Sequence, residues 1–366
     1  MNKQIITLRQ AMCTLAVFII GSSIIVGVST AAEQDSWISF LFSMVIVIPA
    51  VLVYARIIKL YPEEDIYGII EIIFGRIAGK IITVLITWYA IHLAALVLRN
   101  FSEFIAITSL PETPQLIVMI IFLSVTVYLV RSGMQTVGKW SLVAYAVIVT
   151  IMFITIVLLY NQMDFKNLFP IMNHSAKTIL SGSYQLFTFP FAETVLFLAV
   201  ADCIKKEDSP YKAYIYGVIL GATALLSVVF RNLLALGPVL CEAEQFPSYT
   251  AARVINIGDF LVRIEGSISM NFILSGITKI TICLFAASKG LASLFHIQDY
   301  KKLVVPVSLT VMALASIVYG SDMEMVNFIK IYQFYAIPFQ IIIPILIWVG
   351  GEIKTRSTKK AQGNGG

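Results

Sequence analysis

The chain has 366 residues, of which 58% are hydrophobic and only 13% are charged. A typical soluble domain is about 45–50% apolar and about 25% charged, so this chain lacks the charged side chains that cover a surface facing water. The composition excludes a soluble, disordered or nucleic-acid-binding protein. It predicts an all-α protein that crosses the membrane several times. The net charge of +5 is modest and is assigned to loops on the inner face of the membrane.

Ten apolar segments follow one another along the chain, and each is predicted to be a membrane-spanning helix. They cover about residues 11–31, 38–58, 81–105, 116–130, 140–160, 179–203, 214–237, 264–287, 303–319 and 332–350. Most Lys and Arg residues of the loops fall on the side shared by both chain ends, which predicts that both termini are cytoplasmic. We expect one transmembrane domain over residues 1–356 and a disordered cytoplasmic tail over residues 357–366.

Spans 1 and 6 are both interrupted near their middle. The first contains Gly21, Ser22, Ser23 and Gly27 within one short stretch. The second contains Pro190, which lacks an N–H and must kink or unwind the helix before it. The alternative interpretation of the first stretch is that its small residues only allow helices to pack closely.

The two interrupted spans lie five spans apart, at matching places in the two halves of the chain. Such pairs are typical of transporters built from inverted repeats. The sequence therefore predicts repeats over about residues 11–160 and 179–350. This is the five-plus-five architecture of the amino acid–polyamine–cation transporter superfamily, the LeuT-like fold.

The break in span 1 is a candidate binding site for a carboxylate. Gly21 and Gly27 loosen the helix, and Ser22 and Ser23 can satisfy the backbone groups that the break releases. Exposed N–H groups at such a break, together with the dipole of the half-helix that follows, attract an anion. We therefore predict that these four residues bind the substrate.

A second set of candidates lies in span 6. A carboxylate near the middle of a membrane costs free energy and must face the bundle interior, water or a cation. Glu193 is therefore a candidate for a functional residue. It could hold the ammonium group of a ligand, carry a proton or form an ion pair with a basic residue, and these alternatives stay open. The neighbouring Phe191 is a candidate for the pocket wall, as are Trp88, Tyr89, Tyr332 and Tyr335. Aromatic belts at the membrane interface are the alternative for these residues.

Lys279 lies near the middle of span 8, beside Thr278 and one helical turn after Ser275. In many proteins with the LeuT-like fold, hydroxyl groups of this helix help to bind a coupling sodium ion, so Ser275 and Thr278 are further candidates. A fixed ammonium group at Lys279 could replace that ion, and we hypothesise that it makes the protein independent of sodium. The alternative is a lysine that reaches toward a cavity without a function.

Three further charged residues lie in the outer halves of the spans. Arg99 and Glu103 are one turn apart in span 3 and could pair with each other. Arg231 in span 7 could close an outer gate with Glu103 or with an acidic loop residue. Structural pairing without a role in coupling is the alternative for all three.

The sequence contains no signature of an enzyme, a cofactor site or a metal site. The H-E-x-x-H, G-x-S-x-G and G-x-x-x-x-G-K-[ST] patterns do not occur. The four cysteines are far apart and lack a C-x-x-C spacing. We therefore expect no catalytic activity, no cofactor and no bound metal.

Several short motifs, in order along nearly the whole chain, make the sequence resemble the spore germination permease-like family. This family comprises the B subunits of the nutrient-germinant receptors of endospore-forming bacteria. The motifs are Ile5-Ile6-Thr7-Leu8-Arg9-Gln10, Ile20-Gly21-Ser22-Ser23-Ile24-Ile25, Tyr61-Pro62, Arg131-Ser132-Gly133, Leu168-Phe169-Pro170 and Phe189-Pro190-Phe191-Ala192-Glu193.

The resemblance implies an integral protein of the spore inner membrane or cell membrane that senses a small nutrient, often an L-amino acid. It implies a larger membrane subunit and a lipoprotein subunit as partners. A proton-coupled amino-acid permease would use the same pocket but would also need a coupling site, whereas a sensor needs only two conformations with different ligand affinity. A purely structural membrane scaffold is a third class, in which neither break would matter.

Overall fold

A computed structural model describes residues 4–26, 31–255, 265–320 and 322–363 of the chain. This part is nearly all helical, apart from loops and a parallel bridge between Ile6 and Ile204. The helices are α1 (Leu8–Ile20), α2 (Ser23–Val26), α3 (Ser36–Leu60), α4 (Ile66–Thr108), α5 (Gln115–Ser132), α6 (Met134–Leu159), α7 (Ala176–Leu186), α8 (Pro210–Leu236), α9 (Pro238–Ala243), α10 (Pro247–Arg253), α11 (Glu265–Leu294), α12 (Val304–Ile317), α13 (Asp322–Ile337) and α14 (Ile343–Gly363).

Within the described ranges, eight helical segments are long and apolar enough to cross a membrane. Two shorter apolar helices, Leu8–Ile20 and Val304–Ile317, lie where spans 1 and 9 are predicted. Large apolar side chains remain exposed along the helices, such as Val45 at 63% and Phe153 at 67%. Because lipid is the environment that accepts such a surface, the chain is an integral membrane protein. The count of ten spans stays a prediction, and so does the division into two repeats.

The first predicted span is divided in the structure. A capping box between Thr7 and Gln10 starts α1, because each side chain accepts a hydrogen bond from the other residue's backbone N–H. The helix ends at Gly21, whose φ is 23° and ψ is −126°. A Cβ atom at Gly21 would lie 2.5 Å from Lys279 Cδ and 2.6 Å from the Phe18 carbonyl oxygen. Glycine is therefore required here both for its backbone angle and for the space beside it.

The sixth predicted span is interrupted after α7. The segment Phe187–Phe191 forms one wide turn, in which Phe189 has the extended angles φ −136° and ψ 112°. Pro190 cannot donate a backbone hydrogen bond to the preceding turn, which explains why the regular helix stops here. The chain then continues as a tighter 3₁₀ helix over Ala192–Cys203.

The third predicted span is longer than expected. The span is predicted for about residues 81–105, whereas α4 runs over Ile66–Thr108. Two helical parts of α4 meet at Gly75, whose φ of 72° and ψ of −172° are not helical. The Asp65 side chain caps the start of α4 by accepting hydrogen bonds from the backbone N–H groups of Tyr67 and Gly68.

The last helix continues past the end of the predicted transmembrane domain. It reaches Gly363, and the disorder of the tail over residues 357–366 stays a prediction. The Thr355 hydroxyl donates to the Gly351 carbonyl at 2.8 Å, and the Ser357 hydroxyl donates to the Ile353 carbonyl at 3.1 Å, as in a regular helix. Residues 359–362, which are lysine, lysine, alanine and glutamine, are good helix formers and allow the helix to extend this far.

Candidate functional site

A buried ion pair lies between the two broken helices and α11. Lys279 Nζ is 2.5 Å from Glu193 Oε2, and the side chains of both residues are 0% exposed. The Lys279 ammonium also donates to Ser22 Oγ at 3.4 Å, so it joins the break of the first span to the break of the sixth. The rings of Phe18 and Phe189 lie 5.4 Å and 5.0 Å from the ammonium and add cation–π contacts.

A series of hydrogen bonds leads away from the other carboxylate oxygen. The Tyr332 hydroxyl donates to Glu193 Oε1 at 2.6 Å, and the Tyr89 and Tyr332 hydroxyls are 2.9 Å apart. Gln340 Nε2 donates to the Tyr89 hydroxyl at 2.8 Å. Since the one proton of the Tyr332 hydroxyl goes to Glu193, the Tyr89 hydroxyl is the donor between the two tyrosines, and all donors in the series point toward Glu193.

The same glutamine fixes the break in the sixth span. Gln340 Nε2 donates to the Thr188 carbonyl at 2.8 Å, which satisfies a backbone group that the broken helix leaves free. The Tyr54 hydroxyl donates to the Gln340 carbonyl at 2.6 Å. Helices α3, α4 and α13 and the segment after α13 therefore all hold the region around Glu193.

A cavity adjoins this network, with about 520 Å³ of empty space, part of which is open to solvent. Its polar lining consists of Ser22, Asn100, Gln185, Thr188 and Glu193. The rest of the wall is apolar or aromatic and includes Leu93, Leu96, Val97, Phe189, Phe328 and Tyr332. Polar groups from both breaks thus meet in one hollow that is otherwise apolar, as in many small-molecule sites.

The predicted binding residues of the first span reach the site to different degrees. Ser22 lines the cavity, and the carbonyl of Gly21 accepts a hydrogen bond from Ser275 Oγ at 3.0 Å. Ser23 is buried, and its hydroxyl has no hydrogen-bond partner among the described residues. Gly27 lies outside the described residues.

Two other predicted binding residues lie behind the cavity wall. The Thr278 hydroxyl accepts a hydrogen bond from Trp140 Nε1 at 3.0 Å, which ties α11 to α6. Phe191 is fully buried and packs edge-on against Phe40, with ring centroids 5.5 Å apart. Neither is part of the cavity lining, and their binding role stays a prediction.

The predicted outer charges form two separate groups. Arg99 Nε is 3.9 Å from Glu103 Oε2, within one turn of α4. Arg231, 1% exposed, donates to Thr155 Oγ1 at 3.0 Å and to Asn232 Oδ1 at 2.8 Å. In the part of the chain that the structure describes, Arg231 makes no ion pair with Glu103 or with an acidic loop residue.

Asn100 and Gln340 are site residues that the sequence reasoning did not find. Each is a polar amide in a span that is otherwise largely apolar, and that contrast is the signal that points to them. Asn100 also begins an Asn-Phe-Ser triplet that matches a glycosylation pattern by chance, and this pattern does not indicate a place in the cavity.

Similar solved structures show the class of fold. The chain matches MhsT in complex with L-phenylalanine at a TM-score of 0.62 and 11% identity, covering 96% of this chain and 99% of that one. It matches Mhp1, a nucleobase-cation-symport-1 family transporter with bromovinylhydantoin bound, at a TM-score of 0.68 and 11% identity, covering 93% and 78%. The protein therefore has the fold of LeuT-like transporters, as the sequence predicts.

The family follows from similar sequences. A family model described as "Spore germination protein" matches residues 5–323, and the chain belongs to this family. Spore germination protein KB of Bacillus subtilis (strain 168) is 24% identical and matches over 99% of each chain. Spore germination protein YndE of the same organism is 23% identical over 79% of this chain and 81% of its own. The predicted family is thereby confirmed.

Proposed function

We propose that this chain is the ligand-binding subunit of a nutrient-germinant receptor, with no enzymatic activity. Its cavity binds a small nutrient, with an L-amino acid as the expected ligand, and binding triggers spore germination. The observation that carries the proposal is that Ser22 and Glu193 line the cavity and are joined by the buried Lys279 ammonium, in a chain that belongs to the spore germination family. The solved transporter with L-phenylalanine supports an amino acid as the ligand of this fold.

The proposed setting is the spore inner membrane, with both termini in the cytoplasm. A larger membrane subunit and a lipoprotein subunit are the proposed partners. Signalling needs a ligand that binds one of two conformations more tightly and so shifts their populations. The breaks at Gly21 and Phe189 are the natural hinges, because each joins two helical pieces through non-helical backbone.

The test is thermal stabilisation of the purified protein in detergent by common L-amino acids, sugars and purine nucleosides. A ligand that binds only the folded state raises the unfolding temperature by an amount that grows with the logarithm of its concentration above the dissociation constant. We expect such a concentration-dependent rise with an L-amino acid. The absence of any rise across the whole panel would contradict the proposal.

Sodium independence is a separate prediction of the site. The Lys279 ammonium lies 2.5 Å from Glu193 Oε2, so a positive charge is already fixed beside the carboxylate. Replacing sodium by choline should therefore leave the stabilisation by the ligand unchanged. A stabilisation that appears only in sodium would show that the lysine does not replace the ion.

A proton-coupled amino-acid permease is the second candidate. The hydrogen bonds from Gln340 through Tyr89 and Tyr332 to Glu193 favour it, because a series of hydroxyl groups can carry a proton. Uptake of a radiolabelled amino acid into liposomes that contain this subunit alone separates the two functions. Uptake driven by a pH gradient supports the permease, and binding without uptake supports the sensor.

A further inference from the structure

The cavity wall has no net charge. Among the described residues that line it, Glu193 is the one charged side chain, and the Lys279 ammonium neutralises it at 2.5 Å. Tyr332 occupies the second carboxylate oxygen at 2.6 Å. Both groups of the ion pair therefore already have partners, and a ligand with a net charge would bring a charge for which this wall offers no counter-charge.

One polar group of the wall is left without a partner. Asn100 Oδ1 is shielded from solvent and accepts no hydrogen bond in the described part of the chain. Buried amide oxygens are nearly always hydrogen-bonded, because a buried acceptor without a donor loses the bonds it makes in water. Rotation of the side-chain amide brings either its oxygen or its nitrogen to the cavity, so Asn100 can accept from a ligand or donate to it.

The residues around Asn100 indicate what kind of ligand could form a hydrogen bond with its amide. Leu93, Leu96 and Val97 precede it on α4 and lie in the same wall, with the ring of Phe328. Apolar side chains dominate the wall beside Asn100, so a molecule covered with hydroxyl groups would lose more hydrogen bonds to water than it gains there. An apolar body with a single polar end fits this lining.

We propose that the cavity takes a small ligand of no net charge and that the Asn100 amide holds its polar end. The inference rests on the proposed function and adds to it the charge of the ligand and a residue that determines specificity. Zwitterionic amino acids with apolar side chains meet the condition, whereas acidic and basic amino acids do not.

The test uses probes that differ in charge but little in size. Purified full-length protein in detergent is titrated with L-norleucine and L-lysine, with L-glutamine and L-glutamate, and with D-glucose and inosine, and the unfolding temperature is followed. We expect L-norleucine to stabilise the wild-type protein most, and L-lysine, L-glutamate, D-glucose and inosine to have no effect. Preferential stabilisation by any of these four probes would overturn the proposal.

The role of Asn100 is tested by Asn100→Leu, which keeps the size and removes the amide. We expect the apparent Kd of the stabilising probe to rise about tenfold or more, as when one hydrogen bond to a buried polar group is lost. Asn327→Leu is the matched control, because Asn327 is exposed on α13 and is not part of the cavity lining. Its Kd should stay within about twofold of wild type.

Asn100→Ala and Asn100→Asp keep the test valid if the leucine variant does not fold. The alanine variant should weaken binding in the same way. The aspartate variant adds a negative charge to the wall and should shift the preference toward L-lysine. Wild-type affinity in the Asn100 variants would overturn this inference alone, whereas a wild-type protein that responds to no probe would overturn the proposed function and this inference together.

Discussion

At the scale of single residues, the Lys279–Glu193 pair makes the sharpest prediction. Removing one partner, as in Lys279→Met or Glu193→Gln, leaves the other polar group buried with fewer bonds. We expect each single variant to lower the free energy of unfolding, by about 3–5 kcal/mol for the loss of the lysine. The double variant should recover much of this loss, because neutral groups of similar volume replace a buried ion pair at little cost.

Thermal unfolding of the wild type, both single variants and the double variant gives the coupling energy of the pair directly. The Lys302→Met variant serves as the control, because Lys302 is exposed. If the effects of the two single substitutions simply add, Lys279 and Glu193 do not interact in the folded protein.

Gly21 gives a second prediction at this scale. In Gly21→Ala, the new methyl group would meet Lys279 Cδ at 2.5 Å and the Phe18 carbonyl oxygen at 2.6 Å, with φ at +23°. We expect a loss of about 1–3 kcal/mol in the free energy of unfolding and weaker ligand binding, since the lysine must move. Both are measured by thermal unfolding with and without the ligand.

The matched control is Gly266→Ala near the start of α11. A Cβ there meets no atom of the described residues within 4 Å. This substitution should change stability by less than about 1 kcal/mol. Equal effects at Gly21 and Gly266 would show that the close approach to Lys279 does not matter.

At the scale of elements, Gly75 lies at a kink that divides α4 into two helical parts. Its φ of 72° and ψ of −172° belong to a region that side chains disfavour, although a Cβ there would meet no described atom within 4 Å. Gly75→Ala should therefore lower stability by about 1–3 kcal/mol through the backbone alone. Chemical or thermal unfolding of the purified protein measures this loss.

Gly79→Ala is the control on the same helix. Its Cβ would lie 3.4 Å from Glu71 Cα, which is ordinary contact, and alanine favours a helix over glycine by up to about 1 kcal/mol. The expected order of stability is therefore Gly79→Ala above Gly75→Ala. The reverse order would mean that the angle at Gly75 is not maintained in the protein.

The breaks in the elements could be predicted from sequence because single residues cause them. Proline removes a backbone donor and glycine permits unusual angles, wherever the rest of the chain lies. The partners across the site could not be predicted in this way. Glu193 and Tyr332 are 139 positions apart, and Lys279 and Glu193 are 86 apart, so only the folded packing shows which polar groups meet.

At the scale of the whole molecule, Lys289 joins distant parts of the chain. Its ammonium lies 2.9 Å from Asp65 Oδ2, at the start of α4, and 2.7 Å from Asp202 Oδ1, at the end of the 3₁₀ helix that follows the break. The adjacent Cys203 is buried, with 5% exposure. We therefore expect this pair of bridges to keep one end of the bundle closed.

The substitution Lys289→Met should open this end. In a variant that retains Cys203 as its one cysteine, we expect a maleimide to label Cys203 about tenfold faster, the equivalent of about 1.4 kcal/mol in the opening equilibrium. Lys302→Met should leave the rate unchanged. Labelling at the wild-type rate in Lys289→Met would show that the bridges do not govern access.

The hydrogen bonds around Glu193 determine how the molecule can change shape. The hydroxyls of Tyr332 and Tyr89 each have one proton, so neither can donate to a new partner without leaving the acceptor that it now serves. Their rearrangement is therefore concerted, which favours two discrete arrangements over a graded continuum. A ligand that binds one arrangement more tightly shifts the population between the two, so each molecule is either on or off, and the fraction that is on rises smoothly with the ligand concentration.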